Sequence, residues 1–222
     1  MAEKRSYRQN CALAHAMDLV GERWTLLIVR ELLVGERRYG ELLDNLPGMG
    51  TNLLASRLKE LLDAGLVSKS GRKYALTESG RQLEPVIGAL VRFGLGLNVD
   101  YDNEFLTRPE WDTVALRAIF DDDRGKSLAG RYVVELNGEP FAIEKHATGV
   151  EIRYGDTDGE KARVSLSKNA ARELAEGSID LGAAIDAGKV AVKGSRREAK
   201  RLLAAFSMLP PYAFVDAQKS PR

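Results

Sequence analysis

Asn52, Ser56 and Lys59 recur at the spacing of one helical face, with Thr51 just ahead of them, while Leu54, Leu58, Leu61 and Leu62 mark the opposite face. Short hydroxyl and amide side chains near the start of a helix can hydrogen-bond base edges in the major groove of duplex DNA. An ordinary amphipathic helix with a solvated polar face would show the same pattern, so the neighbours decide the reading. Arg37 and Arg38 stand at the start of the preceding short helix, and a tight turn at Pro47-Gly48 leads on from it. Lys69, Arg72 and Lys73 follow in a short hairpin. Cationic side chains in those places hold phosphates and set register without reading sequence.

Other chemistry is sparse. The single cysteine, Cys11, excludes a disulfide framework, and only His15 and His146 could join it at a zinc site, too few for one. In the first turn of a helix, which Asn10 is placed to cap, the backbone dipole would favour the Cys11 thiolate, making it a candidate redox sensor. A structural thiol at a subunit interface is the alternative. Gly125-Lys126-Ser127 imitates the end of a P-loop, but Phe120 occupies the place of its first glycine. Asp156-Thr157-Asp158-Gly159 lacks the remaining ligands of a calcium loop, and Asp121-Asp122-Asp123 reads as a solvated helix end. No hydrolase elbow or zinc-protease motif occurs. The sequence therefore predicts no catalytic residues, no metal and no cofactor.

The elements that must position these residues fall into two groups. In 222 residues, 44% are hydrophobic and 29% charged, as in a soluble globular protein. No run approaches the ~18 apolar residues of a membrane helix. The polar N-terminus carries no signal-like stretch, and a cytoplasmic location is expected. Residues 1–98 carry 14 Lys/Arg against 11 Asp/Glu, and residues 99–222 carry 19 against 21. A basic half joined to an acidic half suggests two domains with different partners.

Apolar periodicity predicts helices over about 11–20, 24–35, 39–46 and 52–64, then strands 66–69 and 73–76 around Gly71-Arg72. A helix capped by Thr77 and running to Leu97 completes a mainly-α winged helix-turn-helix domain over 1–98. Residues 99–110 are expected to be a linker. Residues 111–222 read as an α+β domain, an antiparallel sheet covered by helices. Its expected strands are 131–136, 140–145, 150–154, 162–166 and 190–193, with helices over 111–120, 170–176, 181–187 and 195–206.

On the first domain, an ordered set of motifs resembles the HxlR-type winged-helix regulators. It comprises Cys11, Gly21-Glu22-Arg23-Trp24-Thr25-Leu26-Leu27-Ile28, Arg37-Arg38-Tyr39-Gly40-Glu41-Leu42, Pro47-Gly48 and Leu58-Lys59-Glu60-Leu61. Gly65-Leu66-Val67 and Tyr74-Ala75-Leu76-Thr77-Glu78-Ser79-Gly80 extend the match over about residues 8–95. The resemblance implies a homodimeric regulator of operator DNA, with the terminal helices of the domain forming the dimer interface. It also implies that a cysteine at the place of Cys11 can sense oxidants. Ala12 stands where the family usually has proline, and the wing is shorter than usual.

The second domain is similar to the sterol carrier protein fold, carried by Tyr132–Leu136, Ala162–Ser167, Leu174–Gly177, Ile185–Gly194 and the helix ending at Phe206. That likeness implies an apolar pocket for a hydrophobic small molecule between sheet and helices. Its candidate lining is Ile119, Phe120, Phe141, Ile143, Leu166, Leu174, Ile185, Leu203 and Phe206. A packed core, or a dimerisation module, is the alternative for the same residues. The whole chain thus reads as a DNA-binding transcriptional regulator whose operator affinity answers to a hydrophobic effector. The rivals are a carrier or storage protein that uses its N-terminal domain only to dimerise, and an enzyme that uses the acidic C-terminal domain.

Overall fold

A computed structural model of the chain describes residues 6–97, 105–175 and 177–207. The expected linker residues 99–104, and the last fifteen residues of the chain, lie outside this set. The chain divides into two compact units, Met1–Ile87 and Gly88–Arg222, and the division falls inside a helix, ahead of the boundary at 98 expected from composition. No described helix is long and apolar enough to cross a membrane.

The first unit runs α1 (Ala12–Val20), α2 (Thr25–Val34), β1 (Arg37–Arg38), α3 (Tyr39–Asp44), α4 (Thr51–Asp63), β2 (Val67–Ser70), β3 (Lys73–Leu76) and α5 (Glu78–Arg81), and shares α6 (Glu84–Gly96) with the second. Ile28, Val29 and Leu32 of α2, Leu42 of α3 and Leu54, Leu58 and Leu61 of α4 are buried together with Leu46. The 4-3 spacing in α4 puts its three leucines on one stripe, as the sequence predicts.

A carboxylate lies within this apolar set. Glu31 has no exposed surface. Its Oε1 accepts hydrogen bonds from Arg30 Nε (3.1 Å) and Nη2 (2.6 Å), and its Oε2 accepts one from Asn45 Nδ2 (2.8 Å). Asn45 is the C-cap of α3, so these bonds tie α2 to the end of α3. Where α2 begins, Trp24 takes a left-handed backbone (φ 81°), which costs a bulky residue about 1–3 kcal/mol. Its ring lies over Gly48 in the turn before α4, where an added Cβ would stand 3.8 Å away. The Arg23 guanidinium covers the same ring at 5.0 Å.

Four local expectations are corrected. Arg37 and Arg38 stand at the start of α3, Arg38 as its N-cap, but they also form an unexpected strand, Arg37 opposite Tyr74 and Arg38 opposite Lys73, in a sheet of order β1-β3-β2. Two residues are too short a run for periodicity to mark. Cys11, not Asn10, is the N-cap of α1, so the thiol lies one position ahead of the first turn. Thr77 caps only the four-residue α5, accepting from Gly80 N at 3.0 Å, and the chain breaks before α6. Pro85 is the second residue of α6, where its missing N–H costs nothing, whereas mid-helix it would remove a bond and clash with the preceding turn. Close packing seats α5 against the wing. A Cβ at Gly80 would lie 2.0 Å from the Leu66 carbonyl oxygen, the same atom that accepts from Thr77 N at 3.1 Å.

The fourth correction concerns the second unit. It contains α7 (Trp111–Ile119), a 3-10 turn Arg124–Ser127, β4 (Gly130–Leu136), β5 (Glu139–His146), β6 (Gly149–Tyr154), β7 (Ala162–Leu166), α8 (Lys168–Ala175), α9 (Leu181–Asp186), β8 (Val190–Gly194) and α10 (Arg196–Ala204). The sheet order is β6-β5-β4-β7-β8, and β4 pairs with β7 in parallel, so the sheet is mixed rather than antiparallel. Alternation of apolar residues specifies which face is buried but is blind to strand direction. Direction is set by the connection over 155–161, anchored at one end by Gly155 N to Pro140 O and at the other by Lys161 N to Arg131 O, both 2.9 Å. Arg163 holds it against the face opposite the core through Asp156 and Glu160. The Asn137-Gly138 turn, with φ 52° and 86°, has both residues left-handed, as a two-residue hairpin turn of this sequence requires.

Among the residues expected to line a pocket, Phe120, Phe141, Ile143 and Leu166 are buried in one continuous core. Leu174, Ile185, Leu203 and Phe206 pack against it half-buried, and Ile119 is not part of the cluster. Phe120 and Phe206 meet edge to face at 5.4 Å between centroids. Tyr132, fully buried in the same core, donates from its hydroxyl to Glu198 Oε2 at 2.7 Å, and Arg201 Nη1 donates to Glu198 Oε1 at 2.7 Å. The Tyr132 hydroxyl first, and the Arg201 guanidinium second, hold the Glu198 carboxyl below its ordinary value.

A depressed carboxyl contributes stability that is fully present above its unfolded pKa, about 4.3, and is lost as pH falls through the lower folded value. Tyr132→Phe is expected to lower stability at pH 7 by about 2 kcal/mol, the worth of a hydrogen bond to a charged group. Urea unfolding should show that deficit constant above about pH 5 and closing as acid protonates Glu198. A deficit independent of pH down to acid unfolding would show that the hydroxyl acts through packing alone.

Candidate nucleic-acid interface

The exposed face of α4 carries Thr51, Asn52, Ser56 and Lys59. Ser56 Oγ donates to Glu60 Oε1 at 3.1 Å, and Lys59 Nζ is paired with Asp63 Oδ2 at 2.6 Å. The hydrogen bond to Asp63, followed by its charge, raises the Lys59 pKa above its ordinary value. Both partners of that pair are well exposed, and such pairs are worth little, so this one opens at small cost. Arg57 is held differently, bridging Glu60 and Glu22 across 35 residues of sequence, and stitches α4 to the loop before α2.

Tyr39 fixes the start of α4. Its hydroxyl donates to the Thr51 carbonyl at 2.6 Å, linking the first residue of α3 to the first residue of α4. The α3 start is itself locked by Arg38 N donating to Glu41 Oε2 at 2.5 Å. Sequence reasoning passed over Tyr39 because an aromatic at a helix start reads as core; its place directly after two arginines was the available signal.

Beside this junction the wing forms a concavity of ≈ 270 Å³ lined by Arg38, Tyr39, Gly40, Lys69, Gly71, Arg72 and Tyr74. Three of its residues are cationic and none is acidic. The Lys69 ammonium stands 5.2 Å from the Tyr74 ring centroid, a cation–π placement that restrains a long side chain. Gly71, at φ 58°, makes the two-residue turn that carries Arg72.

The fold thus gathers three of the expected cations, Arg38, Lys69 and Arg72, around one hollow adjoining the start of α4. Two others are held elsewhere. Arg37 is half-buried, with its Nε buried and without a hydrogen-bond partner among the described residues. Lys73 Nζ pairs with Glu36 Oε2 at 3.3 Å. Cys11 lines no part of the hollow; it is exposed at the start of α1, where the backbone amides of Ala14 and then Leu13 lower its pKa. No cluster of acidic, histidine or cysteine side chains suited to a metal occurs among the described residues.

Helices α2, α3 and α4 with the β1-β3-β2 wing define a winged helix-turn-helix unit. Residues 19–99 match the family described as HxlR-like helix-turn-helix. The chain is 37% identical over 91 residues to the uncharacterized HTH-type transcriptional regulator sll1512 of Synechocystis sp., covering 38% of this chain and 67% of that one. It is 34% identical over 85 residues to the uncharacterized HTH-type transcriptional regulator YvaP of Bacillus subtilis, covering 35% of this chain and 79% of that one. The chain belongs to the HxlR-like helix-turn-helix family. Among solved structures, the sec-alkylsulfatase Pisa1 from Pseudomonas sp. aligns at 17% identity and a TM-score of 0.41, over 49% of this chain and 18% of that one. A likeness of that strength says nothing of fold or activity.

Tyr39→Phe should cost about 1 kcal/mol, the net worth of one neutral hydrogen bond. Hydrogen exchange should show faster opening of the first turn of α4 in that variant, with the amides of α2 unchanged. Equal exchange in both proteins would show that the leucine stripe alone seats the helix.

Proposed function

We propose that this chain is a DNA-binding transcriptional regulator, with α4 as the helix that enters the major groove. Asn52 and Ser56 are its base-reading side chains, and Lys59 with the cations of the wing hold backbone phosphates. The observation that carries this reading is the convergence of Arg38, Lys69 and Arg72 on a concavity without acidic lining, beside the start of α4. Such a site suits a phosphate, and the tie from Tyr39 to Thr51 fixes its position relative to the reading helix. The carrier reading explains neither feature.

A dimer follows from the same reading, because a symmetric regulator presents two such helices to one duplex. Leu13 and Met17 on α1, and Val86, Leu90 and Phe93 at 4-3 spacing on α6, are exposed apolar side chains that suit such an interface. For the second unit, the burial of Phe141 and Ile143 in one core with Phe120 and Leu166 supports a packed core over a preformed pocket for a hydrophobic effector. Cys11 is proposed as a regulatory thiol, since it is exposed and its thiolate is favoured by backbone amides.

The test is titration of purified protein with duplexes from upstream of its own gene at several salt concentrations. A regulator should bind half-sites about one helical turn apart, with log affinity falling by about 0.9 per phosphate contact for each unit of log salt. Asn52→Ala/Ser56→Ala is expected to flatten discrimination between operator and scrambled duplex. Arg72→Ala should weaken both duplexes alike and reduce the slope by about 1. Binding with no salt slope and no site preference would return the chain to the carrier reading. Diamide should weaken operator binding of the wild type and leave Cys11→Ser unaffected; equal responses would make the thiol structural.

A further inference from the structure

We propose that the end of the second unit's sheet where β8 passes into α10 is a further contact for the backbone of duplex DNA, outside the operator; this rests on the DNA-binding reading above. Lys193 lies at the end of β8. Arg196, Arg197 and Lys200 occupy the exposed face of α10, opposite the buried Ala199 and Leu202. Lys161 joins them, since its carbonyl accepts from Ser195 N at 3.1 Å, and Arg131 adjoins it through the bond from Lys161 N to Arg131 O at 2.9 Å. All six side chains are exposed.

What sets this patch apart is the fate of the nearby carboxylates. Asp156 and Glu160 are both taken by Arg163, at 2.5 and 3.1 Å. Glu198, the one acidic residue between Lys189 and Arg201, is taken by Tyr132 and Arg201. No ion pair engages Arg131, Lys161, Lys193, Arg196, Arg197 or Lys200 among the described residues. Lys193 still feels Asp156 and Glu160, and Lys161 feels Glu198, so the positive charge is only partly compensated, in a half of the chain whose Asp and Glu outnumber its Lys and Arg, 21 to 19. A concentration of cations against that background is a polyanion-binding pattern rather than general solubility.

Duplex DNA fits it better than a membrane surface. Of the large hydrophobic side chains that are exposed, none belongs to β8 or α10, so nothing there would insert between lipids. Arginine also suits phosphate, through its planar fork of donors. Tethering to a unit already on DNA raises the effective concentration of flanking phosphates, so contacts too weak to act alone become useful.

The experiment uses the full chain and two duplexes centred on one bound sequence, one of about 20 base pairs spanning two half-sites and one about twice as long. The wild type should bind the longer duplex with the steeper salt slope. Arg196→Ala/Arg197→Ala/Lys200→Ala should lose that excess, its slope falling by about 2–3 at about 0.9 per phosphate, while binding to the shorter duplex is unchanged. The charge-retaining Arg196→Lys/Arg197→Lys/Lys200→Arg should restore it. Equal slopes for wild type and triple variant on the longer duplex would overturn the proposal. So would loss of binding to anionic phospholipid vesicles by the variant with its DNA slope intact, which would assign the patch to a lipid surface. A wild type that binds neither duplex would overturn the regulator reading and this contact together, whereas normal binding to the short duplex keeps the first and isolates the second.

Discussion

The winged unit is organised around a charge that cannot reach water. Burying a carboxylate costs several kcal/mol unless its oxygens are met by donors, and Glu31 meets that demand with Arg30 on one oxygen and Asn45 on the other. Because Asn45 caps α3, the demand is satisfied only when α3 ends at one place against α2. The chain then has six residues in which to turn before α4 begins, with Gly48 under the Trp24 ring partway along. Apolar contacts alone would let two short helices slide by a fraction of a turn at small cost. The Arg30 pair forms within α2 in any register, but the second carboxylate oxygen meets its donor only when Asn45 stands opposite it, and that requirement selects a single arrangement.

The consequences reach the surface through short links. Tyr39 carries the position of α3 to the carbonyl of Thr51, and Arg57 ties the middle of α4 to Glu22 before α2. The wing is fixed at its far end by the near-contact of Gly80 with the Leu66 carbonyl, which leaves no room for any larger residue. The exposed cations of the hollow are thus mounted on a frame held by the internal bonds of Glu31, Tyr39 and Arg57.

The second unit solves a different problem with similar means. A mixed sheet needs a connection that returns along the sheet before the parallel strand can start, and here seven residues, 155–161, make that return. Backbone bonds at its two ends and Arg163 along it hold the crossing in place. These pairings also engage Asp156 and Glu160, so a domain acidic in total can still present exposed cations at Arg196, Arg197 and Lys200. Net charge by domain therefore misstates what the surface offers.

Much of the first unit was legible because its signals are local. The 4-3 spacing of Leu54, Leu58 and Leu61 fixed which side chains of α4 face outward, and Gly71 and Asn137-Gly138 marked turns by backbone conformations that other residues avoid. Strand positions in the second unit followed from period-two alternation to within a residue or two. The strand Arg37–Arg38, the parallel pairing of β4 with β7, the burial of Glu31 and the break before α6 were decided by partners distant in sequence. The same limit governed the candidate pocket, where alternation showed that Phe141 and Ile143 face inward but could not show whether the helices opposite would stand off or close on them. Periodicity records which side of an element avoids water, and it carries no information about what that side is packed against. That was determined only when the chain brought Phe120, Leu202 and Ala205 down onto the sheet.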